Sequence, residues 1–90
     1  MIPEDYLSKI VVVDTETSLT YVGNLAKITK DSFGLEQVIL YDESTGKISI
    51  DQFLVECASF FPSPSRKAVW INRQKIISLS LLSDVIIPGK

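Results

Sequence analysis

The chain has 90 residues, a formal net charge of −2, and 46% apolar against 22% charged residues. This composition excludes a disordered tail and predicts a single folded domain over residues 1–90. A domain of this length buries a reduced fraction of its surface, so we expect it to associate with partners.

The chemistry-bearing residues exclude most catalytic classes. The chain has no histidine, which is the commonest general base and metal ligand, and one cysteine, Cys57, which cannot form an intrachain disulfide or a zinc site. No Gly-rich phosphate loop is present. We therefore expect no enzyme activity, no metal and no cofactor. Blocks of Lys and Arg are absent, so DNA is not an expected partner.

The first third of the chain predicts a helical turn followed by two strands. Pro3 to Leu7 suits the start of a helix, since proline fits the first helical position and acids follow it. The β-branched run at 10–13 predicts a buried strand over 9–17. A second strand follows over 21–30, in which Gly23 indicates a bend or bulge.

The middle of the chain predicts a turn, a third strand and an ambiguous segment. Residues 31–34 have the Asp and Gly of a tight turn, and the apolar pattern resumes over 35–41. The polar stretch 42–47 followed by the alternation at 48–50 predicts a hairpin. Residues 51–61 fit either a strand that continues from Ile50 or a short amphipathic helix, and we favour the strand.

The last third predicts a loop and two strands. The Pro-Ser-Pro-Ser run at 62–65 marks an exposed loop, because proline cannot pair within a central strand. Strands follow over 67–72 and 75–81, and a last apolar group lies at 85–87. In the first of these strands alternation places Trp70 on the opposite face from its neighbours.

No apolar run approaches the roughly 20 residues that span a bilayer, and no signal sequence is evident, so we expect a cytoplasmic protein and no membrane contact.

Three stretches, 11–23, 23–35 and 69–80, resemble the Sm-like family in order and spacing. They contain an apolar first hairpin that returns to an aromatic and glycine, then Asp31-x-Phe33, then a strand, a short charged turn and a final strand. The resemblance implies a mostly β fold, a small, strongly bent five-stranded Sm-like (SH3-like) barrel behind a short N-terminal helical turn. The stretch 42–66 is longer than the family needs and would be an extended hairpin or loop.

The resemblance also implies a function, which is a homo-oligomeric ring that binds single-stranded RNA at its central pore, as part of a ribonucleoprotein. Matching positions would supply the RNA contacts: Asp31, Phe33, Asn72, Arg73 and Lys75. Pairing between neighbouring subunits would involve the last two strands: Val69, Trp70, Ile71, Ile76, Ile77 and Leu79. Gly34 and Asn72 depart from the family pattern, which expects asparagine and arginine there.

Other interpretations stay open. A ring could act as a structural or protein-interaction scaffold without RNA, and a monomeric SH3-like adaptor could bind peptides. Phe33 could equally anchor the core, Asp31 could cap its own turn, and Arg73 and Lys75 could lie on a solvated turn.

Overall fold

The computed structural model describes residues 3–89 and contains one five-stranded antiparallel sheet and one α-helix. The elements are β1 (Ile10–Thr15), β2 (Leu19–Ile28), β3 (Ser32–Asp42), α1 (Ile50–Phe60), β4 (Arg66–Asn72) and β5 (Ile76–Leu81). Short 3-10 helices lie at Pro3–Tyr6, Arg73–Lys75 and Leu82–Asp84. Across the sheet the order is β4-β3-β2-β1-β5, so β4 and β5 are its two edges.

The predicted fold class, mostly β with a small bent five-stranded sheet behind a short N-terminal helical turn, is confirmed. Side chains from all five strands meet in one apolar cluster, which requires the sheet to bend around it. Its buried members come from β1 to β4 and its partly buried members include residues of β5: Val11, Val13, Leu25, Phe33, Leu35, Val38, Ile71, Ile76, Leu79 and Leu81. We call this the inner core.

The opposite face of the sheet is covered by α1, which explains why the run of three valines is buried throughout. Val11 and Val13 point into the inner core, whereas Val12 belongs to a second cluster with Phe53 and Cys57 of the helix. All three valines are at most 1% exposed. A strand covered on both faces loses the polar alternation of a half-exposed strand.

The bend glycine predicted in the second strand is confirmed as a bulge site. The pairing between β2 and β3 shifts by one residue between Val22 and Asn24, around Gly23. Opposite it, Gln37 takes a left-handed backbone conformation with φ of 54°. The extra residue changes which side chains of β3 face inward, so that Val38 joins the inner core.

The favoured strand over 48–61 is wrong, because this segment contains α1 and residues 48 and 49 belong to no strand. Apolar side chains recur at helical spacing and pack on the sheet: Ile50, Phe53, Leu54, Cys57 and Ala58. The N-cap Ser49 accepts a hydrogen bond from Gln52 N through its side chain. The predicted extended hairpin or loop at 42–66 is therefore a polar turn, a helix and a short Pro-containing loop.

The predicted turn at 31–34 is also misplaced, because β3 begins at Ser32. The chain reverses at residues 29–32, two residues before the predicted turn. There the Thr29 N–H donates to Ser32 O at 2.8 Å and the Ser32 N–H donates to Thr29 Oγ1 at 2.9 Å. Gly34 therefore lies within β3 and not in a turn. The first strand ends at Thr15, two residues before the predicted end.

Candidate functional site

The five residues predicted to contact RNA lie together at the end of the sheet where β3 meets β4, but they contact each other and their neighbours. Phe33 is only 4% exposed and belongs to the inner core. The guanidinium carbon of Arg73 lies 5.0 Å from the centre of its ring, and Arg73 Nη1 donates to Thr29 O at 3.0 Å. Arg73 therefore occupies an aromatic face of Phe33 that a stacked base would need.

The remaining three positions also have internal partners. Asp31 O accepts a hydrogen bond from Arg73 N at 2.8 Å. The Asn72 side-chain oxygen caps the following 3-10 helix by accepting from Gln74 N at 2.9 Å. Lys75 Nζ forms an ion pair with Glu16 at 2.8 Å, and this contact raises the pKa of Lys75. These contacts join the turn before β3, the turn after β4 and the residue that follows β1.

The predicted interface residues divide into exposed and inward-facing sets. Trp70 on β4 is 57% exposed and Ile77 on β5 is 69% exposed, which places both on the surface. The other four contribute to the inner core, with Ile71 buried and the rest partly buried: Val69, Ile71, Ile76 and Leu79. The alternation predicted around Trp70 is thereby confirmed. Of the six, Trp70 and Ile77 therefore have the most accessible side chains.

Both sheet edges have unpaired backbone groups, since within residues 3–89 β4 pairs with β3 alone and β5 pairs with β1 alone. The Arg73 N–H donates to Asp31 O, which makes Ser32 and Asn72 a non-hydrogen-bonded pair. Hydrogen-bonded and non-hydrogen-bonded pairs alternate along an antiparallel ladder. The N–H and C=O groups of Ala68 and Trp70 therefore point away from β3 toward the free edge of β4.

The indole ring of Trp70 packs directly on Gly34, which has no side chain to displace it. A Cβ atom at Gly34 would lie 3.0 Å from the Cη2 and Cζ3 atoms of the indole. A pocket of about 220 Å³ borders the same ring, with Lys27 and Glu36 among its lining residues. The result is an exposed aromatic surface beside an unpaired strand edge, which we call the β4 edge surface: Ala68, Trp70 and their neighbours Arg66 and Lys67. Sequence patterning alone could not show that β4 is an edge strand.

Charge is distributed unevenly over the chain. Residues 66–75 contain four basic residues and no acid, whereas 48–65 and 76–89 contain no Lys or Arg but include Asp51, Glu56 and Asp84. The charged side chains of β4 itself are thus basic, and those of α1 and of residues 82–89 are acidic. Such local potentials select partners of complementary charge.

Residues 3–89 include no group of three or more His, Cys, Asp or Glu side chains placed to hold a metal ion. Cys57 is buried against the sheet, and burial raises the pKa of its thiol to about 11, so the reactive thiolate is suppressed near neutral pH. Over the same described residues, no helix has the length and apolar character needed to cross a membrane.

No family model matches the sequence, and none of the curated proteins matches it. A chain in the crystal structure of the NatC complex bound to CoA is similar in structure, with a TM-score of 0.60. The similarity covers 90% of this chain and 84% of that chain at 13% sequence identity. At this identity the likeness shows a shared fold.

These comparisons correct the predicted membership in the Sm-like family, since no family model supports it and the similar solved structure is a chain of the NatC complex. The predicted homo-oligomeric ring that binds single-stranded RNA as part of a ribonucleoprotein is corrected with it. The alternative of a ring-forming scaffold likewise finds no support. What the comparisons establish is a small five-stranded fold shared with a chain of a multi-subunit complex.

Proposed function

We propose that this protein is a non-catalytic subunit of a multi-chain complex and that a partner protein binds its β4 edge surface. The observation that carries the proposal is the exposed Trp70 beside outward-pointing backbone groups on an edge strand. Tryptophan is enriched among the residues that dominate binding energy at protein interfaces. An open edge adds the backbone hydrogen bonds that a partner strand needs.

The chemistry of the edge defines the partner segment. Backbone pairing requires an extended segment, and the indole of Trp70 favours an apolar side chain opposite it. Arg66 and Lys67 lie on the same strand and are exposed, and neither forms an ion pair within residues 3–89. An acidic residue in the partner segment would therefore be complementary to this edge.

The structural likeness supports a role within a complex. The similar chain is part of the NatC complex, and the structural match covers most of that chain. A small fold with two unpaired edges suits a subunit whose free edges are covered by other chains. Subunit binding would also stabilise the small domain, since any partner that binds the folded state lowers its tendency to unfold.

The lack of histidine and the buried, protonated Cys57 support the proposal that the chain itself performs no catalysis. A single reduced cysteine is also typical of proteins in a reducing compartment, and we propose a cytoplasmic location on that basis. Protein recognition is thus the activity that this surface supports.

The test uses proline to block the edge without disturbing the sheet. In Ala68→Pro the lost N–H points away from β3, so the internal ladder stays intact while an added strand loses a hydrogen bond. Ser63→Pro is the matched control, since residue 63 lies in the exposed loop before β4. Tagged full-length chains are isolated from cells after mild cross-linking, and co-purified proteins are quantified against the chain.

We expect one protein to co-purify with the wild type and with Ser63→Pro in a fixed ratio. Its recovery should fall about tenfold with Ala68→Pro, because a tenfold change in affinity corresponds to a loss of about 1.4 kcal/mol of binding energy. Melting temperatures should show that both variants fold. Equal recovery with all three chains would contradict the proposal, as would a chain that purifies alone.

A further inference from the structure

A second surface lies apart from the β4 edge, between α1 and the segment that follows β5. It is a groove of about 470 Å³. Leu54 and Val55 of the helix form one apolar wall, and Val85 and Ile86 form the other. Asp51 and Asp84 complete its lining. We call it the α1 groove.

The elements that form the groove are both anchored in the second core cluster, so the groove is present before any ligand binds. Phe53 and Cys57 hold the helix on the sheet, and the buried Leu82 anchors the C-terminal segment. Leu54 and Val85 pack against the same cluster from the groove side. In contrast, Ile86 is 86% exposed, so this side of the groove is accessible to a ligand.

The charged side chains that line the groove have one sign. Neither 48–65 nor 76–89 contains Lys or Arg, and the acids in these stretches are Asp51, Glu56 and Asp84. Within residues 3–89 neither of the two carboxylates that line the groove is in an ion pair. An apolar groove lined by uncompensated carboxylates selects an apolar group that carries positive charge beside it.

We propose that the α1 groove binds a short protein segment in which an apolar side chain is flanked by Lys or Arg. The apolar side chain fills the space between Val55 and Ile86, and the basic residues approach Asp51 and Asp84. This goes beyond the proposed function, because the surface, the elements and the charge of the partner segment all differ from those at the β4 edge. The chain thereby has two recognition surfaces of opposite polarity.

The test selects ligands without assuming a sequence. Short random peptides displayed on phage are selected on the immobilised full chain, and enriched peptides are synthesised and titrated by fluorescence polarisation. Ile86→Ser removes an exposed apolar wall, and Phe60→Ser is its matched control, since Phe60 is 76% exposed but does not line the groove. Asp84→Asn removes one lining charge, and Asp5→Asn removes an exposed acid of another 3-10 helix.

We expect enriched peptides to combine an apolar residue with flanking Lys or Arg. Their affinity should fall about tenfold in Ile86→Ser, as for loss of an interface anchor. Asp84→Asn should weaken binding about threefold and reduce its dependence on salt, as expected for a charge at the margin of an interface. Phe60→Ser, Asp5→Asn and Ala68→Pro should bind as the wild type does.

Several results would overturn this inference. These are the absence of enriched peptides, enrichment of acidic peptides, or equal affinity for wild type and Ile86→Ser. Amide chemical shifts of the isotope-labelled chain should change at 50–60 and 82–89 on peptide binding, and changes confined to β4 would also contradict the groove. A dimer of the isolated chain that Ile86→Ser dissociates would instead assign the groove to a second copy. Because Ala68→Pro leaves the groove intact, failure of the β4 proposal and failure here are separately visible.

Discussion

At the scale of single residues, the bulge between β2 and β3 decides which side chains form the inner core. Phe33 and Leu35 face inward as expected for alternate residues, but the next inward residue is Val38. The additional residue, Gln37, has a positive φ and changes the alternation by one. Without it, Val38 and Leu40 would face α1 and Ile39 would face the inner core, since one residue of register exchanges the two faces.

Gly23 allows the strands to approach closely at this bulge. A Cβ atom there would lie 3.0 Å from Glu36 O and 3.2 Å from Val38 Cγ2, both in a packed region. We expect Gly23→Ala to lower the free energy of unfolding by about 1–3 kcal/mol, as overpacking does. The measurement is urea denaturation followed by fluorescence.

Gly34→Ala is the control for this prediction. Its Cβ would also meet atoms at 3.0 Å, but these belong to the ring of Trp70, which is exposed at the sheet edge and can move. We therefore expect a smaller loss of stability and a shift in the tryptophan emission. An equal loss in both variants would refute the view that the backbone contact at Gly23 is the decisive one.

Asp42 introduces a dependence on pH. Its Oδ1 atom accepts hydrogen bonds from Ser44 Oγ, Ser18 Oγ and Ser44 N at 2.7, 2.8 and 3.0 Å. These bonds, that of the Ser44 side chain above all, lower the pKa of Asp42 from its ordinary value of 3.8. A lowered pKa means that the stabilisation is present above pH 3.8 and is lost as the pH falls through the folded-state pKa.

We expect Asp42→Asn to be less stable than the wild type at neutral pH and to lose less of its melting temperature between about pH 5 and pH 2, because it cannot titrate. Ser44→Ala should show a similarly shallow decline, since it removes the strongest of the hydrogen bonds. Thermal melts at several pH values measure both effects. A wild-type slope in Asp42→Asn would show that other groups govern the acid response.

At the scale of elements, α1 depends on its N-cap and on contact with the sheet. Ser49 and Gln52 form the S-x-x-Q pattern of a capping box, and Gln52 N donates to Ser49 Oγ at 3.1 Å. The helix has only 11 residues, which is too short for stability without packing. Cap and tertiary contacts together therefore sustain it.

We expect Ser49→Ala to lower the free energy of unfolding by about 1 kcal/mol, the usual cost of a lost N-cap. Amide hydrogen exchange should accelerate within α1 more than within β1. Ser59→Ala, at an exposed position inside the same helix, should have little effect. If Ser59→Ala costs as much as Ser49→Ala, the cap is not the source of the stabilisation.

The two edge strands differ in how well they are protected. β4 carries Arg66 and Lys67, and charged residues on an edge oppose unwanted pairing. β5 has no charged residue, and its exposed Ile77 lies where its pairing with β1 is irregular. An irregular ladder also hinders the addition of a strand. β4 is therefore the edge with regular pairing geometry and with charged side chains.

At the scale of the whole molecule, the strand order separates opposite charges. Of the nine basic and eleven acidic residues of the chain, the stretch at 66–75 contains four basic residues and no acid, whereas the stretches at 48–65 and 76–89 contain three acids and no basic residue. The first forms the β4 edge and the turn after it, and the others form α1, β5 and the C-terminal segment. The two proposed surfaces thus differ in charge, and segments of opposite charge would bind to them.

Several features of the fold follow from local sequence pattern. β-branched runs predicted the strands, Gly23 predicted a bend or bulge, and alternation predicted that Trp70 lies on the opposite face from its neighbours. The S-x-x-Q cap at Ser49 and the helical spacing after it were also present in the sequence, but a short apolar run fits a strand or a helix, and contact with the sheet decides between them.

Which surfaces are available depends on how the elements pack against each other. Phe33 and Ile71 lie in the inner core and Trp70 does not, because the bend of the sheet and the helix on its other face bury particular strand faces. The free edge of β4 follows from the strand order, and the α1 groove arises where residues about thirty positions apart in the chain meet. Local propensity specifies an element, whereas burial of that element depends on contacts between residues distant in sequence.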